Sequence, residues 1–254
     1  MIDPIAFSLG PLNIHWYGLI ISTAILLGFS FVIYQSKKTE IPTEFFLDFF
    51  IIGIPVSVIG ARIYFIIFNI GYYLNNPFAI IAVWKGGLAI HGAIIGGLIV
   101  LIVLTKKRNH PFLQVVDIMA PALIIGQAIG RWGNFINQEA YGGAVTEEFI
   151  NNFPAFIKEQ MFINGSYHHP TFLYESVWNL LIFGILIWLS RQYFIKKGDV
   201  FFTYLIGYSI GRFFIEEMRT DSLMLFNIQV AQLMSVILII FGLTMIILRH
   251  RSKK

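Results

Sequence analysis

PALIIGQAIGRWGNFINQEAYG, residues 121–142, decides how this chain is read. Its first half is apolar. Its second half sets Arg131, Asn134, Asn137, Gln138 and Glu139 among Gly130, Gly133 and Gly142. An apolar run that breaks into polar groups is read as the end of a membrane span, where each polar group needs a partner or a task.

The rest of the chain supports a membrane setting. Hydrophobic residues make up 57% of the 254 and charged residues 13%, and the mean hydropathy is +0.73, outside the range of a soluble domain. Crossing a hydrocarbon core of roughly 30 Å takes about 17 to 25 apolar residues. Segments near 16–35, 45–68, 88–105, 112–130, 172–190, 199–218 and 228–248 fit that length. The fourth carries Asp117, Pro121 and Gln127, which would be costly against lipid and are expected to face other helices. No Lys or Arg precedes the first run and no small-residue cleavage pattern follows it, so it is read as a retained helix. Cysteine is absent, which excludes disulfides, an enzyme-borne thiol nucleophile and thiolate metal ligands.

Twelve of the 18 Lys and Arg fall at 37–38, 106–108, 191–197 and 249–254, which are alternate connections and the C-terminal tail. The positive-inside rule makes those segments cytoplasmic. The expected fold is an all-α integral membrane protein: seven transmembrane helices, N-terminus outside, C-terminus cytoplasmic, with an external cap at about 131–171 between helices 4 and 5. Residues 1–254 form one transmembrane domain in this reading. The pI of 9.2 then follows from topology and attraction to anionic membrane lipids, and no nucleic-acid partner is expected. The connection near 69–87 is aromatic-rich, as befits the head-group interface.

Under this topology Tyr17, Arg62, His91, Arg131, Asn134, His169, Tyr174, Glu175, Arg212, Glu216 and Arg219 all fall in the outer half of the membrane, with no comparable set in the inner half. Ionisable residues in spans cost about 2.5–3.5 kcal/mol each on insertion scales, so a cluster from several helices marks a site. For any one of them, snorkelling or a structural ion pair serves as well. Tyr208, Arg212, Glu216 and Arg219 share one helical face, where one carboxylate between two guanidiniums would leave a positive surplus. Gly92 and Gly96 form a small-xxx-small pair suited to close helix packing. GYSIG at 207–211 has the form of a nucleophile elbow, but it lies mid-span in a helix, without the strand and sharp turn that elbow requires, and the only histidine after it is His250 in the cytoplasmic tail. No metal-ligand spacing appears, and no metal or other cofactor is expected.

GRWGNFINQEAYG at 130–142 resembles the signature of the prolipoprotein diacylglyceryl transferases, G-R-x-G-N-F-x-N-x-E-x-x-G, at every fixed position. The resemblance extends to WYGL at 16–19, HGAIIGG at 91–97, HPTFLYE at 169–175 and YSIGRFFIEEMR at 208–219; it departs at Phe172, where glutamine is common in the family. It implies transfer of the sn-1,2-diacylglyceryl group of phosphatidylglycerol to the lipobox cysteine thiol in the signal peptide region of a preprolipoprotein. A thioether forms and glycerol phosphate leaves. It places the protein in the bacterial cytoplasmic membrane as a multi-pass enzyme with its active site toward the outer leaflet. Arg131 and Arg212 are similar to the family's essential arginines and suit a phosphate and its departing charge. Asn134, Asn137, Tyr17 and Gly142 would meet glycerol and phosphate, and Glu139 and Glu216 would orient the arginines or bind head-group hydroxyls. His91, whose imidazole can take up a proton, would be the base for the thiol, unless the field of the two arginines alone favours thiolate. The signature glycines would let the backbone turn close to the head group. The rival reading from another class is a transporter or flippase of an anionic amphiphile, which would favour a midplane site and paired repeats; neither is evident. A seven-helix receptor would share only the span count.

Overall fold

The computed structural model describes residues 2–10, 12–83, 86–226 and 228–251. A hairpin of β1 (Ile5–Leu9) and β2 (Leu12–His15) leads into α1 (Trp16–Ser36). Next come α2 (Thr43–Phe68), the short α3 (Ile70–Asn75), a 3-10 turn at Pro77–Ile81 and α4 (Ile90–Lys107). α5 (Phe112–Asn137) runs into an ordered cap: β3 (Ala144–Val145), α6 (Glu147–Ile150), α7 (Ala155–Gln160), β4 (Phe162–Ile163) and β5 (Ser166–His168), with strand order β3-β5-β4. α8 (Thr171–Leu189), α9 (Asp199–Met218), a hairpin of β6 (Met224–Leu225) and β7 (Ile228–Gln229), and α10 (Val230–Arg251) complete the chain.

The fold is mainly helical, as expected, but not wholly so. Short antiparallel strands form where the chain leaves the long helices, because backbone groups there have no helical partner and must find one across a hairpin. Among the described residues, six helices are long and apolar enough to cross a membrane: α1, α2, α4, α5, α8 and α10. α9 matches them in length at 20 residues but carries Asp199, Arg212, Glu216 and Glu217. α5 runs seven residues past the expected span end at 130, so the first half of the signature is helix.

The chain divides into two compact units, residues 32–115 and residues 1–31 with 116–254. In the first, α2 and α4 approach through glycines. A Cβ on Gly92 would overlap Gly60 O, and one on Gly96 would sit 2.7 Å from Val56 O. Between helices in lipid, such backbone proximity replaces the hydrophobic drive that water would supply. The expected small-residue packing is therefore present. The outward faces keep Ile51, Ile59, Ile63 and Ile67 exposed, as lipid-facing positions require.

In the second unit Ala120, Ile124, Ile182, Leu186, Val200 and Tyr204 form the core among α5, α8 and α9. Asp117 faces inward, as expected: its carboxylate accepts the backbone N–H of Gly198 and, at 2.8 Å, that of Phe201, capping α9 from another helix. Gly198 has φ +101°, a conformation that favours glycine. Asp199 Oδ2 lies 2.9 Å from Lys196 N and 2.8 Å from His250 Nε2, while Lys196 Nζ donates to Arg249 O. The expectation of a single polar cluster is thus corrected, since a second one gathers at the other end of α9. Its partners come from three separate connections and helices, a convergence that no local spacing displays.

Candidate active site

The last two turns of α5 begin the site. Arg131 and Asn134 lie one turn apart, and Arg131 Nη1 donates to Asn134 Oδ1 at 3.4 Å. Asn134 Nδ2 donates to Glu139 Oε1 at 2.8 Å, and the Glu139 N–H returns to Asn134 O at 3.0 Å. The backbone turns through Gln138 (φ +51°) and Ala140 (φ +56°), not through the signature glycines, which corrects the expected role of Gly130 and Gly133. Both lie within the helix, and Gly133 serves close packing: a Cβ there would sit 2.7 Å from the Tyr17 ring. Tyr17 is thereby seated against the same two turns. Asn137 is the last residue of α5 and exposed, and among the described residues no hydrogen bond joins its side chain to this network.

Two registers bring neighbouring helices to Arg131. Ser176 on α8 donates to Ala128 O at 2.9 Å and accepts from Trp132 Nε1 at 3.2 Å, fixing α8 against α5. Trp178 Nε1 donates to Gly207 O at 2.8 Å and its indole covers Gly211, fixing α9 against α8. Only a residue without a Cβ leaves room for that indole. These locks set Glu175, only 4% exposed, between two guanidiniums: Oε2 is 2.6 Å from Arg131 Nη2 and Oε1 is 2.9 Å from Arg212 Nη1. Arg212 Nη2 stands 2.5 Å from Glu216 Oε2, an ion pair whose N–H is not aligned for a hydrogen bond. Arg219 reaches Glu175 and Glu216 at 3.9 Å each and holds Asp221 with two bonds of 2.9 Å.

Three arginines stand against Glu175, Glu216 and Asp221, and the exposed Glu139, joined to Arg131 through Asn134, adds one further negative charge. The positive surplus expected from the α9 face alone is corrected by Glu175 and Asp221, which lie outside that face. The sequence places Glu175 in the outer-half cluster and at the end of HPTFLYE, but its pairing crosses helices, so no i, i+4 rule could assign it. Burying such a network costs desolvation that its Coulomb energy barely repays. It is therefore weak evidence for stability and good reason to look for a function. The guanidiniums of Arg131 and Arg212 keep 19% and 16% side-chain exposure, enough for further N–H groups to meet an anion.

Gly142 crosses this region. Its N–H donates to His169 O at 3.0 Å, Gly143 N–H donates to Met218 O at 2.9 Å, and Gly142 bridges Arg219. A Cβ at Gly142 would lie 2.7 Å from His169 Cβ and 3.0 Å from Met218 O. His168 Nδ1 donates to Gly142 O at 2.9 Å. The cap's first residues are so pinned to the start of α8 and the end of α9. His169 places Nδ1 3.2 Å from the Tyr174 hydroxyl and meets the edge of Phe149. Its burial among those rings lowers its pKa below the usual imidazole value.

His91 belongs to the other compact unit. It lies in the first turn of α4 and stacks on Tyr64, with centroids 5.7 Å apart at 28°. Thus Arg131, Asn134, Glu139, Arg212 and Glu216 are joined in one network with Tyr17 packed beside it, Gly142 supports it, and His91 is held separately by α2. GYSIG lies within α9 as expected, with Ser209 buried.

A family model described as prolipoprotein diacylglyceryl transferase matches residues 4–248. Similar proteins include the phosphatidylglycerol--prolipoprotein diacylglyceryl transferases of Staphylococcus carnosus (49% identical, covering 98% of this chain and 91% of the relative), Bacillus velezensis (48%, covering 98% and 93%) and Halalkalibacterium halodurans (48%, covering 95% and 84%).

Proposed function

The chain belongs to the prolipoprotein diacylglyceryl transferase family, and from that premise we propose how its residues carry the transfer. The enzyme moves a diacylglyceryl group from phosphatidylglycerol to prolipoprotein. In the proposed reaction the lipobox cysteine sulfur attacks the glyceryl carbon that bears the phosphate. The C–S bond forms as the C–O bond breaks, glycerol phosphate takes the bonding electron pair, and the thiol proton passes to His91 directly or through water. Arg131 and Arg212 hold the phosphodiester and stabilise the charge that grows on it as it leaves. Asn134, Asn137, Tyr17 and Glu139 bind the glycerol and phosphate oxygens, Glu216 orients Arg212, and Gly142 fixes the backbone beside them.

The observation that carries this reading is the Glu175 bridge. One buried carboxylate holds two partly exposed guanidiniums from different helices beside each other, and in this reading the two forks serve one anion. A transporter or flippase is not favoured, because the relatives that match nearly the whole chain are named for the transferase. In this proposal the chain is one transmembrane domain of seven spans, α9 being the seventh with its charged face turned into the bundle. The N-terminus is outside, and the site opens to the outer leaflet of the bacterial cytoplasmic membrane. Incubating the purified protein with phosphatidylglycerol and a lipobox peptide should add the mass of a diacylglyceryl group to the peptide, in a linkage stable to hydroxylamine. An unmodified peptide, or a hydroxylamine-labile one, would refute the reaction.

A further inference from the structure

Arg62 lies near the end of α2 and is 7% exposed. Among the described residues it meets no carboxylate. All three of its nitrogens donate to one loop: Nε to Ile80 O at 2.9 Å, Nη1 to Gly86 O at 2.7 Å and to Gly87 O at 2.9 Å, and Nη2 to Ala79 O. Gly86 and Gly87 adopt φ of +85° and +74°, which turns their carbonyls onto the guanidinium. A Cβ on Gly87 would sit 2.6 Å from Arg62 Nη1.

The same stretch of α2 then leads the chain into α4. Ala61 O accepts the Ala89 N–H at 3.1 Å, and Tyr64 stacks on His91. From Gly86 to His91, six residues, the chain is thus held at three successive points by positions 62, 61 and 64. Anchoring a loop does not require a charge, and burying one without a counter-ion is expensive. The return on that cost is rigidity, since four carbonyls on one planar fork leave the loop little freedom.

We infer that Arg62 is a positioning residue for the transfer: it fixes the path into α4 and with it the place of the His91 imidazole. This rests on the reading of His91 as the base. Lysine would keep the charge but has a single nitrogen, which cannot reach acceptors spread from residue 79 to residue 87.

The test uses the full-length protein in phosphatidylglycerol-containing proteoliposomes, with Arg62→Lys, Gly87→Ala, His91→Gln and the double variant of Arg62→Lys with His91→Gln. Arg62→Lys should lower kcat roughly ten- to a hundredfold through misplacement of the base, with KM for the peptide changed less than about twofold, and should speed amide exchange across residues 86–93. Gly87→Ala, which crowds the fork from the other side, should do the same and decides the matter if Arg62→Lys fails to insert. With His91 already replaced, Arg62→Lys should cost nothing more in kcat. Full multiplication of the two single effects, or wild-type exchange at 86–93, would overturn the inference and leave the base reading intact. Wild-type turnover in His91→Gln alone would overturn the base reading, and the positioning role with it.

Discussion

Replacing Glu175 by glutamine separates two roles that a carboxylate can have beside a phosphate site. Glutamine keeps the shape and one acceptor oxygen but removes the charge shared by Arg131 and Arg212, which lie 2.6 and 2.9 Å away. Removing one partner of a buried ion pair costs about 3–5 kcal/mol of stability, so the variant should unfold at lower temperature. For turnover, each guanidinium loses a charge-assisted bond worth about 1.5–3 kcal/mol. If half to all of one such contact is felt in the transition state, kcat falls about three- to a hundredfold. Binding moves the other way. The freed guanidiniums gain the phosphate as their main counter-ion, so KM for phosphatidylglycerol should stay constant or fall. The assay is initial-rate transfer to a lipobox peptide over a range of phosphatidylglycerol mole fractions, on protein shown by gel filtration to be intact. A raised KM with unchanged kcat would mean that Glu175 touches the substrate itself, and the orienting argument would be refuted.

Arg131→Lys and Arg212→Lys should each lower turnover about ten- to a hundredfold while the protein still inserts, since lysine keeps the charge and loses the fork; Arg108→Lys, whose half-exposed arginine pairs with Asp48, is the comparison, and near-normal rates in all three would remove the arginines from the mechanism. His91→Gln should lower turnover at neutral pH and recover in part as pH approaches the thiol pKa near 8.5; wild-type rates from pH 6 to 9 would leave His91 a structural residue. Burial holds the His169 pKa below its unfolded value of about 6.5, so the unfolded chain binds more protons in that window and the cap loses stability as pH falls through 6.5. Amide exchange over 142–169, corrected for intrinsic rates, should therefore rise on acidification, and His169→Gln should flatten the change. Reporters fused after Lys38, Arg108 or Lys197 should read as cytoplasmic and one within 145–165 as external; a cytoplasmic signal from the cap would overturn the outward-facing site.

What the sequence made legible follows from the range of each signal. Hydropathy acts over about 20 residues, and it located six membrane-length helices and the long, charged α9. Spacing within one helix acts over one or two turns, and it found the Arg212–Glu216 pair and the glycine contact of α4. The cross-helix partners were out of reach. Glu175 meets Arg131 only because Ser176 and Trp132 set the register of α8 on α5, and Asp117 caps α9 across 81 positions of sequence. Arg62 was legible as a charge at depth but not as the hub of a loop, because its acceptors are carbonyls and every residue has one. β3 to β7 are not legible for a related reason: their two or three residues each carry no alternation worth reading.

Charge balance in the network bears on how the product leaves. Phosphatidylglycerol presents a phosphodiester with one negative charge, whereas glycerol phosphate is a monoester whose second ionisation lies near neutral pH. A site built only of arginines would hold the product more strongly than the substrate. With Glu175 and Glu216 each within 3 Å of the guanidiniums, Arg131 and Arg212 already have counter-charges at rest, and the second charge that appears on the leaving phosphate meets carboxylates as well as cations. The same bridge that aims the arginines therefore weakens their hold on the dianion. Glu175→Gln should for that reason be inhibited by glycerol phosphate at lower concentrations than the wild type, more so at pH 8 than at pH 6. Equal inhibition constants at both pH values would show that the carboxylate plays no part in release.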